Sequence, residues 1–201
     1  MDWNEVFSGS NYRYGTSPAG FVAANMTPET PGQRLLTVAE GEGRNAVWLA
    51  AQGWRVTAVE GSPNAVAKGR RLAEGQGVQI DWIIADLDDF DWPTGHFDAV
   101  LGCFIQFAEP TFRDRIFAGL AAALKPGGTL YLHGFSTRQR EQGYTSGGPS
   151  AVDQLYTLPI LRRAFPDWPK TLARDYDDAL SSGEGHQGAA ALIDFIARKP
   201  S

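Results

Sequence analysis

Between Arg34 and Phe135, five short apolar runs are separated by turns and by stretches of helical pattern, and this alternation constrains the fold more than any other feature of the chain. Arg34–Ala39 reads as a buried strand that ends in glycines, and Asn45–Gln52 as a helix with Ala46, Leu49 and Ala50 on one face. Arg55–Val59 is a second strand. Ser62-Pro63 opens a helix to about Glu74, with serine as N-cap and proline at the first helical position. Gln79–Ala85 and Phe97–Gly102 are further strands. Glu109–Leu124 is a helix closed by Lys125-Pro126-Gly127-Gly128, and Thr129–Phe135 a fifth strand. Strands alternating with helices of this length build βαβ units and a parallel sheet, and strands apolar throughout are those covered on both faces.

The flanking segments are less regular. Residues 1–33 are rich in aromatics and broken by glycine and proline, which predicts a segment packed on the domain as a cap, with a short helix at 18–26. Ser136–Pro149 is polar and glycine-rich, a predicted mobile loop. Ala151–Phe165 reads as helix. Thr171–Asp177 and Ala190–Arg198 read as two last strands, with Gly183, Gly185, His186 and Gly188 in the loop between.

Composition narrows the class. A net charge of −5 disfavours nucleic acid as a partner, and Lys68-Gly69-Arg70-Arg71 is expected to be a solvated helix face. No apolar run reaches the roughly 20 residues of a membrane span. The single cysteine, Cys103, excludes an internal disulfide and a multi-cysteine metal site. No metal is expected, and a cytoplasmic location is the default. Oligomeric state is not legible.

Three strand ends carry ligand-ready groups. The first strand runs into Ala39-Glu40-Gly41-Glu42-Gly43-Arg44-Asn45 and then a helix, a turn that lets backbone approach a ligand at the helix N-terminus. Glu60, about 20 residues on, ends the second strand before Gly61-Ser62, where a carboxylate suits both hydroxyls of a ribose. Asp86, before Leu87, ends the third, where an acid can accept from an adenine amine. Glu40 and Glu42 would repel a pyrophosphate and suit a cationic amine, which counts against a dinucleotide-linked oxidoreductase, as does the lack of a Tyr-x-x-x-Lys pair.

Leu35–Ala46 resembles the first motif of the class I methyltransferases. Val59-Glu60-Gly61-Ser62 resembles their ribose-binding motif and Ala85-Asp86-Leu87 their adenine-contacting motif, while Phe97–Val100 and Leu124–Gly128 resemble the fourth- and fifth-strand signatures. Tyr14–Pro18, the Gly-Arg-Asn after the loop and Gly185-His186-Gln187-Gly188 look like the small tellurite-resistance and thiopurine-methyltransferase-like group. The sequence departs from the pattern at Thr37, where an acid is usual, and at Ala39, where glycine is usual; Glu40 stands ready to supply the missing carboxylate.

The resemblance implies a single Rossmann-like α/β domain over 1–201. Its mostly parallel, seven-stranded, doubly wound sheet would have helices on both faces and a C-terminal antiparallel strand. Residues 1–33 would be the cap, 34–135 the cofactor core, and 136–201 the substrate loop and last strands. The implied cofactor is S-adenosyl-L-methionine, contacted by Ala39, Glu40, Gly41, Gly43, Asn45, Glu60, Gly61, Ser62, Asp86, Leu87, Cys103 and Phe104. The implied reaction is methyl transfer to a small-molecule acceptor: a thiol, a metalloid oxyanion or a similar soft nucleophile. A non-enzymatic module that only binds the cofactor is the alternative.

Catalysis of this kind is chiefly positioning. Tyr14 and His186 are the expected substrate-positioning residues. His96 is read as a surface turn residue and His133 as packed inside. Arg44, Arg138 and Arg140 are possible anion ligands, and the N-terminal segment and Arg138–Pro149 possible lids. The place after the fourth strand reads Cys103-Phe104-Ile105-Gln106 rather than the Asn-Pro-Pro-Tyr type, which argues against methylation of base or glutamine amines.

Overall fold

A computed structural model describes residues 2–201. Contacts among the described residues cluster in two compact units: residues 2–90 with 182–185, and residues 91–181 with 186–201.

The first unit begins with helices α1 (Trp3–Val6) and α2 (Gly20–Asn25). It continues as β1 (Arg34–Val38), α3 (Arg44–Ala51), β2 (Arg55–Glu60), α4 (Pro63–Gly75) and β3 (Asp81–Ile84). β2 pairs in parallel with both β1 and β3. Leu35, Leu36 and Val38 of β1 and Val56, Ala58 and Val59 of β2 are buried, as expected of strands covered on both faces. β3 is shorter than its apolar run, and Ile83 and Ile84 are exposed. Helix α4 starts as its residues dictate: Ser62 Oγ accepts from Ala65 N at 3.1 Å, with proline in the first turn. Gly69 lets the Trp82 ring lie against α4, and a Cβ there would fall 2.5 Å from that ring.

The N-terminal segment is held by named bonds. Asn4 Oδ1 accepts from Ser62 Oγ at 2.9 Å and Asn64 N at 3.0 Å. Tyr12 Oη donates to Lys68 O, and Ala19 N to Asn45 Oδ1. The turn 183–185 lies against residues 13–15: Gly185 N donates to Arg13 O at 2.9 Å, and a Cβ on Gly185 would enter the Tyr14 ring. This packing brings together Tyr14 and Gly185 from opposite ends of the chain.

The second unit runs through β4 (Phe97–Cys103), α5 (Pro110–Ala123), β5 (Leu124–Phe135), α6 (Arg138–Glu141), a 3₁₀ turn (Val152–Gln154), α7 (Leu158–Ala164), β6 (Lys170–Ser182) and β7 (His186–Arg198). β5 is parallel to β4 and antiparallel to β7. The sheet is seven-stranded in the order β3-β2-β1-β4-β5-β7-β6, so the mostly parallel sheet and its antiparallel C-terminal strand are as the sequence implies. Phe117, Tyr156, Phe165 and Phe195 form the aromatic part of this unit's core.

Four expectations are corrected. Lys125–Gly128 do not precede β5 but lie inside it. Phe97 pairs with Leu124 and Ala99 with Thr129, so the intervening residues bulge out, where Lys125 meets Asp98 at 2.6 Å. The predicted helix 151–165 is broken. Leu155 and Tyr156 are buried in extended chain, Tyr156 N donates to Phe135 O, and Thr157 then caps α7. The loop 136–149 is pinned rather than free: Arg140 donates to the carbonyls of Tyr144, Gly147, Gly148 and Pro149, and Gln139 is fully buried. The final strands extend to leave only 183–185 as their turn, so His186 lies in β7 and not in a loop.

Candidate functional site

The turn between β1 and α3 alternates left-handed residues: Ala39 at φ 45°, Gly41 at 69° and Gly43 at 89°. Glycine is needed at 43 on two counts, because a Cβ there would also stand 2.9 Å from Gly69 Cα. At 41 the φ is the constraint, since a Cβ would meet only Phe7, at 3.7 Å. Ala39, where the resemblance leads one to expect glycine, holds its strained φ at a cost of about 1–2 kcal/mol.

Glu40 is buried beneath this turn. One carboxylate oxygen accepts from Asn45 N at 3.1 Å and Ala46 N at 2.7 Å, capping α3, and the other accepts from Thr37 Oγ1 at 2.5 Å. Burial is the largest influence and pushes its pKa up to about 7, against the opposing hydrogen bonds and the nearby Arg44. Thr37 and Glu40 thus form one unit: a hydroxyl stands where an acid is usual, and the acid stands three residues later.

Glu42 is buried with Lys68, Nζ to Oε1 2.6 Å, and its other oxygen accepts from Arg13 N. Lys68 Nζ also donates to Asn11 O. Lys68 is therefore not on a solvated face, unlike the exposed Arg70 and Arg71. The argument that Glu42 would repel a pyrophosphate is corrected with it, because that charge is matched inside the unit.

Glu60, 6 % exposed at the end of β2, accepts from Gly41 N at 2.7 Å through one oxygen and from Ser62 N at 2.8 Å through the other. Burial raises its pKa against these bonds. The Gly61 backbone also acts on this carboxylate, and of its roughly four lone-pair sites accepting capacity remains. Gly61 follows, with Ala85 O 3.6 Å from where its Cβ would be. Asp86 is exposed and accepts from Asp88 N, while Leu87 is buried. Asn45 and Ser62 both engage the N-terminal segment through their side chains. Tyr14 is half-buried, with the Arg13 and Arg44 guanidinium groups 5.9 and 5.8 Å from its ring centre.

In the second unit, Cys103 ends β4 half-buried, and Phe104 follows at φ 58°. Its ring meets His133, Phe135 and His186, with centroids 4.6, 5.0 and 4.4 Å away. His186 is 5 % exposed, and Gly147 leaves room for its ring. His133 Nδ1 lies 2.7 Å from Asp194 Oδ1. His96 is partly exposed and packs edge-on against Phe97. The arginines considered as anion ligands have internal partners. Arg44 donates to Tyr14 O, Arg138 pairs with Asp175 and Asp177, and Arg140 holds its own loop.

Residues 35–128 match the family model of the methyltransferase domain. A ubiquinone biosynthesis O-methyltransferase from Xanthomonas campestris is 34 % identical over 114 residues, 56 % of this chain and 46 % of its own length. The chain spans about half the length of the curated relatives it matches. Among solved structures, TehB from Haemophilus influenzae superposes with a TM-score of 0.75 at 18 % identity, covering 98 % of this chain and 67 % of that one. A protein described in the conversion of a disulfide bond into a thioacetal group during echinomycin biosynthesis also gives 0.75, at 19 % identity, covering 98 % and 93 %. At such identities the superpositions speak for the fold alone.

Over residues 35–128 the chain is similar to the S-adenosylmethionine-dependent methyltransferases.

The cofactor of this family is S-adenosylmethionine. Two features of this chain were not read from its sequence. One is the Glu42–Lys68 pair, separated by 26 positions. The other is Asp194, whose signal was present: a lone acid in the apolar run Ala189–Ala197 has to find a buried partner. Gln106, singled out only for departing from another motif, clamps Phe135 through its own N–H and C=O.

Proposed function

We propose that the chain transfers the methyl group of S-adenosylmethionine to a small organic acceptor, acting as one methyltransferase domain with 1–33 as cap, 34–135 as cofactor core and 136–201 as acceptor loop and strands. The observation that carries the reading is Glu60. Its carboxylate is fixed at the end of β2 by the backbone N–H groups of Gly41 and Ser62, with Gly61 also acting on it, and the accepting capacity that remains suits ribose hydroxyls. Ala39, Gly41 and Gly43 would let backbone approach the methionine part. Glu40 and Asn45 would act by shaping that turn, Gly61 and Ser62 by shaping the ribose end. Asp86 and Leu87 are assigned to the adenine, Cys103 and Phe104 to the edge nearest the reacting methyl.

When bound, the cofactor supplies an activated methyl on a sulfonium. The chain's own task is to orient a nucleophile and keep water away. Tyr14 and His186 are assigned to the acceptor. With Arg44, Arg138 and Arg140 engaged by the protein, an organic acceptor is favoured over a metalloid oxyanion. The matched relatives, named for ubiquinone and menaquinone biosynthesis, agree in acting on organic molecules.

Calorimetric titration with S-adenosylhomocysteine, with NAD and NADP as controls, tests the donor site. Selective micromolar binding that is weakened at least tenfold in Glu60→Ala is expected. Absence of binding, or equal binding of NAD, would overturn the reading.

A further inference from the structure

Strand β3 stands at the outer end of the sheet, with β2 on one side only. Ala85 N donates to Glu60 O, so Asp81, Ile83 and Ala85 direct their backbone groups to β2, and Trp82 and Ile84 direct theirs to the outer edge. Edges of this kind are usually guarded by lysine, proline or a bulge. The run Asp81–Ile84 has none of these and pairs with β2 in unbroken register.

The strand is apolar on both faces. Trp82 lies against Gly69 of α4, so Ile84, two residues on, shares the α4 face, and Asp81 and Ile83 take the other. Among the described residues no helix follows β3 before β4 to cover that other face. Ile83 is 38 % exposed and Ile84 49 %, and among the described residues only Val152 is another large apolar side chain left so open. Beside the edge, a groove of about 350 Å³ between α4 and the start of β3 is lined in part by Arg70, Glu74, Val78, Ile80 and Trp82. Arg70 is exposed, and so are Asp86, Asp88 and Asp89 in the turn beyond β3.

We infer that β3 is an interface between two copies of this chain, paired antiparallel about a two-fold axis at Ile83. In this register Trp82 of each copy lies opposite Ile84 of the other. Both direct their backbone groups outward, so each such pair exchanges both of its hydrogen bonds. Ile83 meets its own copy on the face without a helix, and Trp82 meets Ile84 on the α4 face, which covers both exposed isoleucines. Asp81 falls opposite Ala85, so like charges do not face each other across the strands. Carried further, the register sets the acidic turn 86–89 of one copy beside the groove that Arg70 lines in the other. A slip by one residue would set outward-facing backbone against backbone already bonded to β2. A slip by two would leave a single pair of outward-facing positions within β3. The inference does not depend on the methyl-transfer reading.

Sedimentation equilibrium on the full chain should show a reversible dimer, half-associated at micromolar concentration. Ile83→Lys sets two ammonium groups face to face and should raise the dissociation constant at least tenfold. Ile84→Pro removes an N–H that points outward, so it spares the β2 ladder; it should weaken the dimer as much while melting near the wild type. Cysteines test the register. At a pair of this non-hydrogen-bonded kind the Cα atoms stand about 4.5 Å apart, within the roughly 4.4–6.8 Å a disulfide spans, so Ile83→Cys should oxidise to a covalent dimer. The two copies of residue 84 would stand roughly 8–9 Å apart, so Ile84→Cys should cross-link at least tenfold more slowly. The wild type, whose one cysteine is Cys103, gives the background. A wild type that stays monomeric at its highest soluble concentration overturns the inference and leaves the edge to a strand from another protein. A dimer that neither Ile83→Lys nor Ile84→Pro weakens, or one in which Ile84→Cys cross-links as fast as Ile83→Cys, overturns it as well.

Discussion

Replacing Glu40 by glutamine should make the protein more stable at alkaline pH and should abolish one component of its pH dependence. In the folded chain the carboxyl is buried and its pKa rises from an ordinary 4.5 to about 7. Below about pH 4.5 Glu40 is protonated whether the chain is folded or not, and the stabilisation from its raised pKa is fully present. As pH climbs through 7 the folded chain must ionise a buried group, and that stabilisation is lost. The interval from 4.5 to about 7, at roughly 1.4 kcal/mol per pH unit, amounts to about 3 kcal/mol.

Glutamine keeps the geometry: its oxygen can accept from Asn45 N and Ala46 N, and its amide can donate to Thr37 Oγ1. Urea unfolding of wild type and Glu40→Gln at pH 5, 6, 7 and 8.5 isolates the contribution, because other groups that titrate cancel in the difference. The stability of Glu40→Gln minus that of wild type should grow with pH by about 3 kcal/mol and level off above pH 8. A difference that is flat across this range, or that falls as pH rises, would refute the placement of a buried, poorly ionised acid under the turn.

Other perturbations address the remaining supports. Lys68→Met leaves Glu42 buried without its cation and should cost about 3–5 kcal/mol in urea unfolding, with Glu42→Gln/Lys68→Met recovering most of the loss. Arg140→Ala removes the donor to four loop carbonyls. It should expose residues 143–149 to limited proteolysis, at a stability cost of about 1–3 kcal/mol; unchanged proteolysis would show that the loop holds itself. Gly185→Ala drives a methyl into the Tyr14 ring and should lower stability by about 1–3 kcal/mol, much of it restored by Tyr14→Ala, as a double-mutant cycle would reveal.

Period and punctuation in the sequence determined most of the fold. The apolar runs became β1, β2, β4 and β5 within a few residues, and Ser62-Pro63 started α4 as their chemistry requires. The spacing from the glycine turn to Glu60 and Asp86 put those groups at successive strand ends, because strand, turn and helix lengths are set locally. Tertiary packing decided what local pattern cannot carry. Leu155 and Tyr156 left a helical pattern because burial beside Phe135 satisfied them better in extended chain. Lys68 looked like one of a run of surface cations, and only the fold set it against Glu42. Likewise, His133 met Asp194, 61 positions away, only once β5 and β7 had paired. A charge or an imidazole takes its role from the partner that burial forces on it, and that partner is chosen by the topology of the sheet.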